Sequence, residues 1–121
     1  MTITSVATFT MRAGREADAL ALIRAVKRQA ERDQPGTLVY LVHRTLDKKG
    51  KPTRTLYFYE RYRNEAALQA HLASSSWKRV VAKWAECFEG RSPTTGLKFF
   101  GVKRIAAFER PGAIPTAPPP S

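Results

Sequence analysis

The sequence predicts an α+β fold, a four-stranded antiparallel sheet with helices in the element order β-α-β-β-α-α-β. Some segments alternate apolar and polar residues with the period of a strand, whereas others repeat apolar residues at helical spacing. A glycine-containing loop between two adjacent strand-like segments indicates a hairpin. The length of 121 residues fits one domain of common size.

The first half of the chain is predicted to form a strand, a helix and a second strand. Residues 3–11 are rich in β-branched residues and alternate with period two. Residues 15–33 repeat apolar side chains three and four positions apart, and Pro35 and Gly36 end this helix because proline cannot continue it. Residues 37–46 are apolar on both faces, which is typical of a central strand.

The second half is predicted to add two strands and two short helices. A hairpin loop at residues 47–52 leads into a third strand at residues 53–62, whose side chains alternate between two faces. Residues 65–72 and 77–88 have helical spacing, and residues 97–108 are predicted to form the last strand. This order is that of the ferredoxin-like split unit with its second helix broken in two.

The predicted fold leaves one face of the sheet without helices, and the strand segments carry large apolar residues on that face as well. A monomer cannot leave so much apolar sheet in water, so we predict a homodimer that packs two open faces together. We expect a folded domain over residues 1–109. The proline-rich residues 110–121 are predicted to form an extended tail, because proline is excluded from helices and central strands.

The composition limits the class of protein. Twenty-one Lys and Arg against ten Asp and Glu give a net charge of +11, but the basic residues are spread along the chain and form no nucleic-acid motif. We therefore favour a solvated basic surface; an anionic small molecule is the next alternative, and nucleic acid is the least favoured of the three. The single cysteine, Cys87, excludes an internal disulfide or an iron–sulfur cluster. With no membrane-length apolar run or signal peptide, we expect a cytoplasmic location and no membrane partner.

Three short motifs carry a resemblance to a known family. They are a Gly-x-x-x-Tyr strand from Gly36 to Tyr40, a Glu-x-Tyr strand end from Glu60 to Tyr62, and an Ala-x-x-x-His helix ending at His71. In this order and spacing, they resemble the antibiotic biosynthesis monooxygenase family over about residues 2–108.

The resemblance implies a fold, an oligomer and an activity. Members are similar to small ferredoxin-like dimers called dimeric α+β barrels. Many oxidise a quinol or phenol with O₂ without metal, flavin or haem, so no cofactor is expected. Some relatives degrade haem, but that branch typically carries an asparagine in its first strand. Residues 3–11 contain none, which counts against haem degradation.

The candidate catalytic residues are His71, Glu60 and Tyr62. An imidazole has an ordinary pKa of about 6.5 and can take a proton from a phenol at neutral pH, after which the phenolate passes an electron to O₂. Glu60 alternates with apolar residues, so it must be paired or its pKa must rise; it could orient His71 or bind a substrate hydroxyl. Each residue has a structural alternative. His71 could pack locally in its helix, Glu60 could be a buried hydrogen-bond acceptor, and Tyr62 could pack in the sheet.

Aromatic residues are predicted to line the substrate site. Trp77 and Trp84 are seven residues apart and are expected to share one helix face, either as core or as a pocket wall. The residues predicted to contact substrate are Tyr40, Phe58, Trp77 and Trp84, with Phe88 and Phe100 as further candidates for the same wall. His43 lies on an apolar strand outside the motifs and is a weaker candidate.

Three functions agree with these features. The first is a cofactor-independent monooxygenase acting with O₂ on a hydroquinone, phenol or aromatic polyketide-like substrate. The second is a non-oxidative enzyme on the same scaffold, such as a dehalogenase, isomerase or cyclase that uses His71 for proton transfer. The third is a non-catalytic protein that binds a small aromatic molecule. Fold alone does not choose among them, because the site decides function.

Overall fold

The computed structural model describes residues 2–113. The greater part of the predicted tail, residues 114–121, lies outside the described residues. The elements in chain order are β1 (Ile3–Thr10), α1 (Glu16–Asp33), β2 (Thr37–Leu46), β3 (Pro52–Tyr62), α2 (Glu65–Leu72), α3 (Ser75–Ala82), α4 (Trp84–Cys87), α5 (Pro93–Gly96) and β4 (Lys98–Val102). The predicted α+β class and ferredoxin-like arrangement are confirmed.

The four strands form one antiparallel sheet in the order β2-β3-β1-β4. The prediction that β2 is a central strand is wrong, because β2 is hydrogen-bonded to β3 alone and lies at the edge. The apolar residues on both faces of β2 are explained by packing on each side of the sheet and not by a central position. Tyr40 and Val42 pack against the core, whereas Leu41 shares the opposite face of the sheet with Tyr59 of β3.

The last strand is shorter than predicted and ends at Val102 rather than at residue 108. Val102 pairs with Thr4, and β1 begins at Ile3, so the neighbouring strand extends only one residue beyond this pair. The four described residues of the predicted tail also differ from an extended chain. They form a turn in which Ala113 N–H donates to Arg110 O at 3.0 Å.

The predicted helix over residues 77–88 is two helices, α3 and α4, with a break at Lys83. The break turns Trp84 into the core, where its indole N–H donates to Glu89 O at 3.1 Å. Trp77 and Trp84 therefore do not share one helix, contrary to the prediction.

The hydrophobic core lies between the helices and one face of the sheet. Phe9 stacks on Phe58 with ring centroids 4.5 Å apart, and Trp84 and Phe88 pack against Phe9 at 5.1 and 5.0 Å. Alternating residues of β1 and β3 supply the sheet side, which is the period-two burial expected of half-covered strands. The polar exceptions on this core face are Ser5 and Glu60, which are paired across β1 and β3.

The opposite face of the sheet, here called the open face, has no helix against it among the described residues. The strand register places Leu41, Tyr59, Val6 and Phe100 side by side in one row across all four strands. Phe100 is 56% exposed. The row is an apolar surface that spans the whole sheet.

Candidate functional site

His71 lies in the last turn of α2 and is 3% exposed. Asn64 caps the start of this helix, where its Oδ1 accepts a hydrogen bond from Ala67 N–H at 2.9 Å. At the other end, the Ser74 hydroxyl donates to His71 O at 2.7 Å and also caps α3. The caps at both ends hold the short helix in place, and the imidazole points under it toward the sheet.

Gln34 fixes one nitrogen of the imidazole. Its side-chain oxygen Oε1 lies 2.8 Å from His71 Nδ1. Because an amide oxygen only accepts, Nδ1 carries the proton and Nε2 keeps a free lone pair. Gln34 is the C-cap residue of α1, and its own N–H donates to Ala30 O at 3.0 Å. The hydrogen-bonded helix end thus holds the residue that orients His71.

Gly36 allows the turn after α1 to approach α2 closely. A Cβ at this position would lie 2.6 Å from the Cβ of Ala67, nearer than two carbon atoms can pack. The O atom of Gly36 also accepts a hydrogen bond from Arg63 N–H at 2.8 Å. The glycine of the Gly-x-x-x-Tyr motif is therefore required by the contact between this turn and α2.

Glu60 and Tyr62 form a hydrogen-bonded pair next to His71. Both side chains project from the core face of β3, and the Tyr62 hydroxyl donates to Glu60 Oε1. The same Oε1 lies 3.8 Å from His71 Nε2, which is too far for a direct hydrogen bond, and the two groups form an ion pair only when the imidazole is protonated. The rings of Tyr40 and Tyr62 each lie 5.5 Å from the His71 ring.

Burial controls the ionisation of these groups. It lowers the pKa of His71 to about 4, because the imidazolium would lose its hydration. Burial also raises the pKa of Glu60, although the hydrogen bond from Tyr62 opposes that shift. The pKa of both Tyr40 and Tyr62 is raised, first by burial and then by the charge of Glu60. At neutral pH His71 is therefore a neutral imidazole, and both tyrosines are hydrogen-bond donors.

A cavity of about 40 Å³ lies at this cluster. Its walls are apolar apart from the polar atoms of Tyr40, Glu60, Tyr62 and His71. A dry cavity of about 150 Å³ holds a benzene ring, so this space accepts a molecule the size of O₂ or water but not a whole aromatic ring. Two of its lining side chains, Leu72 and Phe99, are 41% and 47% exposed. An aromatic substrate enters only if such outer side chains move.

The structure brings together most of the residues singled out from the sequence. Those that line the cavity are His71, Glu60, Tyr62, Tyr40, Phe58 and Trp77. Trp84 and Phe88 do not line it, because they are buried in the core. Phe100 lies on the open face, opposite to the cavity, and its neighbour Phe99 lines the cavity instead. His43 is exposed and lies near Tyr57, which also belongs to the open face.

Sequence reasoning missed Gln34 and Phe99. Gln34 directly precedes the Pro35–Gly36 helix stop, and no periodicity relates it to His71. Phe99 was missed because the sequence does not show which of the adjacent residues Phe99 and Phe100 points to the core. The pairing of Ala7 with Phe99 places Phe99 on the core face of the sheet. Ser5 is a third residue without a sequence signal: its buried hydroxyl lies across from Glu60 and has no hydrogen-bond partner among the described residues.

Residues 2–113 lack the features of a metal site and of a membrane-spanning helix. Within that range, no group of three or more His, Cys, Asp or Glu side chains could hold a metal ion. None of the helices formed by those residues is both long and apolar enough to cross a membrane.

The fold and the buried histidine–carboxylate cluster define a class of small α+β proteins with a site under the helical layer. The family model of the antibiotic biosynthesis monooxygenases matches residues 2–83, and the chain belongs to this family. A comparison with curated proteins finds no match.

Solved structures share the fold. A Bacteroides thetaiotaomicron protein, provisionally named an antibiotic biosynthesis monooxygenase, has a TM-score of 0.71 at 16% identity, covering 90% of this chain and 94% of its own. A Pseudomonas aeruginosa protein has a TM-score of 0.68 at 23% identity, covering 87% and 95%. A Mycobacterium tuberculosis protein has a TM-score of 0.68 at 20% identity, covering 88% and 100%. At these identities the likeness concerns the fold alone.

Proposed function

We propose that this protein is a cofactor-independent monooxygenase that oxidises a phenol or hydroquinone with O₂. The observation that carries the proposal is a neutral, buried His71 that lines the cavity and whose Nδ1 is held by Gln34. A neutral imidazole with one free lone pair is a general base. Family membership supports an oxygenase over other reactions of a base.

The first step assigned to His71 is removal of the phenolic proton. Nε2 accepts it, and the positive charge that forms is stabilised by the Glu60 carboxylate 3.8 Å away. The phenolate is more readily oxidised than the phenol, so it can pass an electron to O₂ in the apolar cavity. Tyr40, whose hydroxyl stays protonated, donates a hydrogen bond to the negative charge that develops on substrate oxygen, while the Tyr62 hydroxyl continues to donate to Glu60.

The overall reaction needs no external reductant. One atom of O₂ enters the activated carbon of the substrate, and the other leaves as water with two hydrogens taken from the substrate. The substrate itself thus supplies both electrons that a separate cofactor would otherwise deliver. This balance agrees with a small chain whose candidate site consists of one base, one carboxylate and two tyrosines.

We further propose that the working protein is a homodimer that joins two open faces. The apolar row of Leu41, Tyr59, Val6 and Phe100 spans all four strands, and Phe100 is more than half exposed. Apolar surface of this extent favours association. The cavity lies on the other side of the sheet, so the dimer leaves its mouth accessible.

The test of the proposed activity is O₂ consumption with a panel of simple hydroquinones and phenols. His71→Ala should lower turnover by roughly 10²–10⁴-fold, which is the usual contribution of a positioned acid–base group. His43→Ala removes the other histidine, which is exposed and outside the cavity, and should leave turnover unchanged.

Two results would contradict the proposal. Equal turnover by folded His71→Ala and the parent would remove His71 as the base. Conversion of a phenol by the parent without any O₂ uptake would favour the non-oxidative enzyme instead.

A further inference from the structure

An exposed groove between α1 and α3 collects basic side chains. Its volume is about 290 Å³, and its walls include Arg28, Gln29, Arg32, Ser76 and Arg79. None of the described residues that line it is acidic. The groove shares no lining residue with the cavity at His71, so it is a separate feature of the surface.

The positive charge of the groove is only partly neutralised. Arg32 donates from Nε and Nη2 to the carboxylate of Asp33, at 2.9 and 2.8 Å. Arg28 and Arg79 are exposed, and their guanidinium groups have no hydrogen-bond or ion-pair partner among residues 2–113. Arg28 and Arg32 are also four residues apart on one helix, where like charges repel each other. An anion placed between Arg28 and Arg79 would supply a counter-charge to two guanidinium groups that have none among the described residues.

The two walls of the groove are held at a fixed spacing by Gln29. Its Oε1 accepts a hydrogen bond from Ser76 N–H at 2.8 Å, and its Nε2 donates to the Ser75 hydroxyl at 3.0 Å. These contacts tie α1 to the first turn of α3. A ligand would therefore meet a groove that is already formed, which reduces the ordering cost of binding.

We propose that this groove binds a small, multiply charged phosphate compound between the guanidinium groups of Arg28 and Arg79. The two arginines come from different helices, so the ligand must present oxygen atoms to both walls at once. A tetrahedral phosphate does so, whereas a planar carboxylate presents one edge. The planar fork of arginine matches pairs of phosphate oxygens. The volume of the groove is near the lower limit of ordinary small-ligand sites, about 300 Å³, and suits a diphosphate group.

The experiment is calorimetric titration of the full chain with inorganic pyrophosphate at low ionic strength. One binding site per chain is expected. The double variant Arg28→Gln/Arg79→Gln should weaken binding about 10-fold or more, because it removes charge-assisted hydrogen bonds from both walls. The matched control is Lys48→Gln/Lys49→Gln, which removes the same charge from the exposed hairpin loop and should leave the affinity within about twofold.

All the substituted residues are exposed, so the melting temperature should hardly change. If the double variant folds poorly, the single variants Arg28→Gln and Arg79→Gln make the same comparison. Absence of saturable pyrophosphate binding would overturn the proposal. So would equal weakening in the groove and loop variants, which indicates attraction by net charge alone. Duplex DNA that binds through these arginines while pyrophosphate does not would assign the groove to nucleic acid and also overturn it.

Discussion

The side-chain oxygen of Gln34 lies 2.8 Å from Nδ1 of His71, although 37 positions separate the two residues in the chain. The contact joins the end of α1 to the end of α2. It determines which imidazole nitrogen carries the proton and leaves Nε2 free to act as a base. The proposed chemistry therefore depends on how two helix ends meet.

Loss of Gln34 should change the tautomer of His71 before it changes the fold. Gln34→Ala removes the acceptor at Nδ1, so both neutral tautomers become populated and turnover should fall by roughly 10-fold, the scale for loss of a group that orients a working imidazole. The nitrogen chemical shifts of the imidazole report the tautomer directly, without any substrate. Gln69→Ala, at an exposed glutamine of α2, is the matched control. An unchanged Nδ1–H tautomer in Gln34→Ala would show that Gln34 does not select it.

Glu60→Gln should slow the reaction by removing the negative charge next to His71. The imidazolium formed during catalysis loses its electrostatic partner, so kcat should fall by about 10-fold or more while folding persists, because an amide can still accept from Tyr62. Glu86→Gln removes an exposed carboxylate from α4 and serves as the control. Equal kcat in Glu60→Gln and the parent would show that this charge plays no part in turnover.

Activity should depend on a histidine that titrates well below its ordinary range. The neutral imidazole is the active form, so the limb in kcat/KM that belongs to His71 should lie near pH 4 rather than 6.5. The raised pKa of Glu60 adds a second acid limb at higher pH, and Glu60→Gln removes that limb and leaves the one from His71. Rate profiles of the parent and of His71→Ala measure this limb, which should be absent from the residual activity of the variant. A limb centred at 6.5 would show that the imidazole is hydrated in the working enzyme.

The same shift should make folding stability sensitive to acid. The unfolded chain binds a proton on His71 near pH 6.5 and the native chain only near pH 4, so stability is full above 6.5 and is lost as pH falls between these values. The loss is about 3 kcal/mol at most. The raised pKa of Glu60 acts in the opposite direction, because its stabilising contribution is lost as pH rises through that pKa. Urea unfolding across this pH range should therefore show a smaller loss in His71→Gln than in the parent.

Gly36→Ala should destabilise the contact between the α1–β2 turn and α2. The new Cβ would lie 2.6 Å from the Ala67 Cβ, and relieving this clash should cost about 1–3 kcal/mol in urea unfolding. Adding Ala67→Gly removes the opposing carbon and should recover part of the loss, as a double-mutant cycle measures. Gly101→Ala, which meets open space on β4, should be close to neutral. Equal losses at positions 36 and 101 would mean that the close approach is not limiting.

Light scattering should give twice the chain mass of 13.6 kDa if two open faces pack together. Phe100→Asp places a charge in the apolar row and should produce monomers at micromolar concentration. Val81→Asp is the control, because Val81 is similarly exposed, at 43%, but lies on the helical side. A monomeric parent, or a dimer that survives Phe100→Asp, would contradict this interface.

The sequence by itself determined the order of the four strands and of α1 and α2, the family and most of the candidate site, whereas the division into α3 and α4 and the short α5 were not predicted. Alternation along β3 placed Glu60 and Tyr62 on one face with Phe58, and helical spacing placed His71 near the end of α2. These assignments succeed because side-chain direction within one strand or helix follows from local geometry alone.

Tertiary structure alone decided which side chains meet across elements. The edge position of β2, the early end of β4, the core location of Trp84 and the choice of Phe99 over Phe100 all depend on pairing between distant segments. The contact of Gln34 with His71 and the lowered pKa of that imidazole also require the packed molecule. Local periodicity carries no information on this contact or on the pKa of His71, because burial and hydrogen-bond partners are set by segments far apart in the chain.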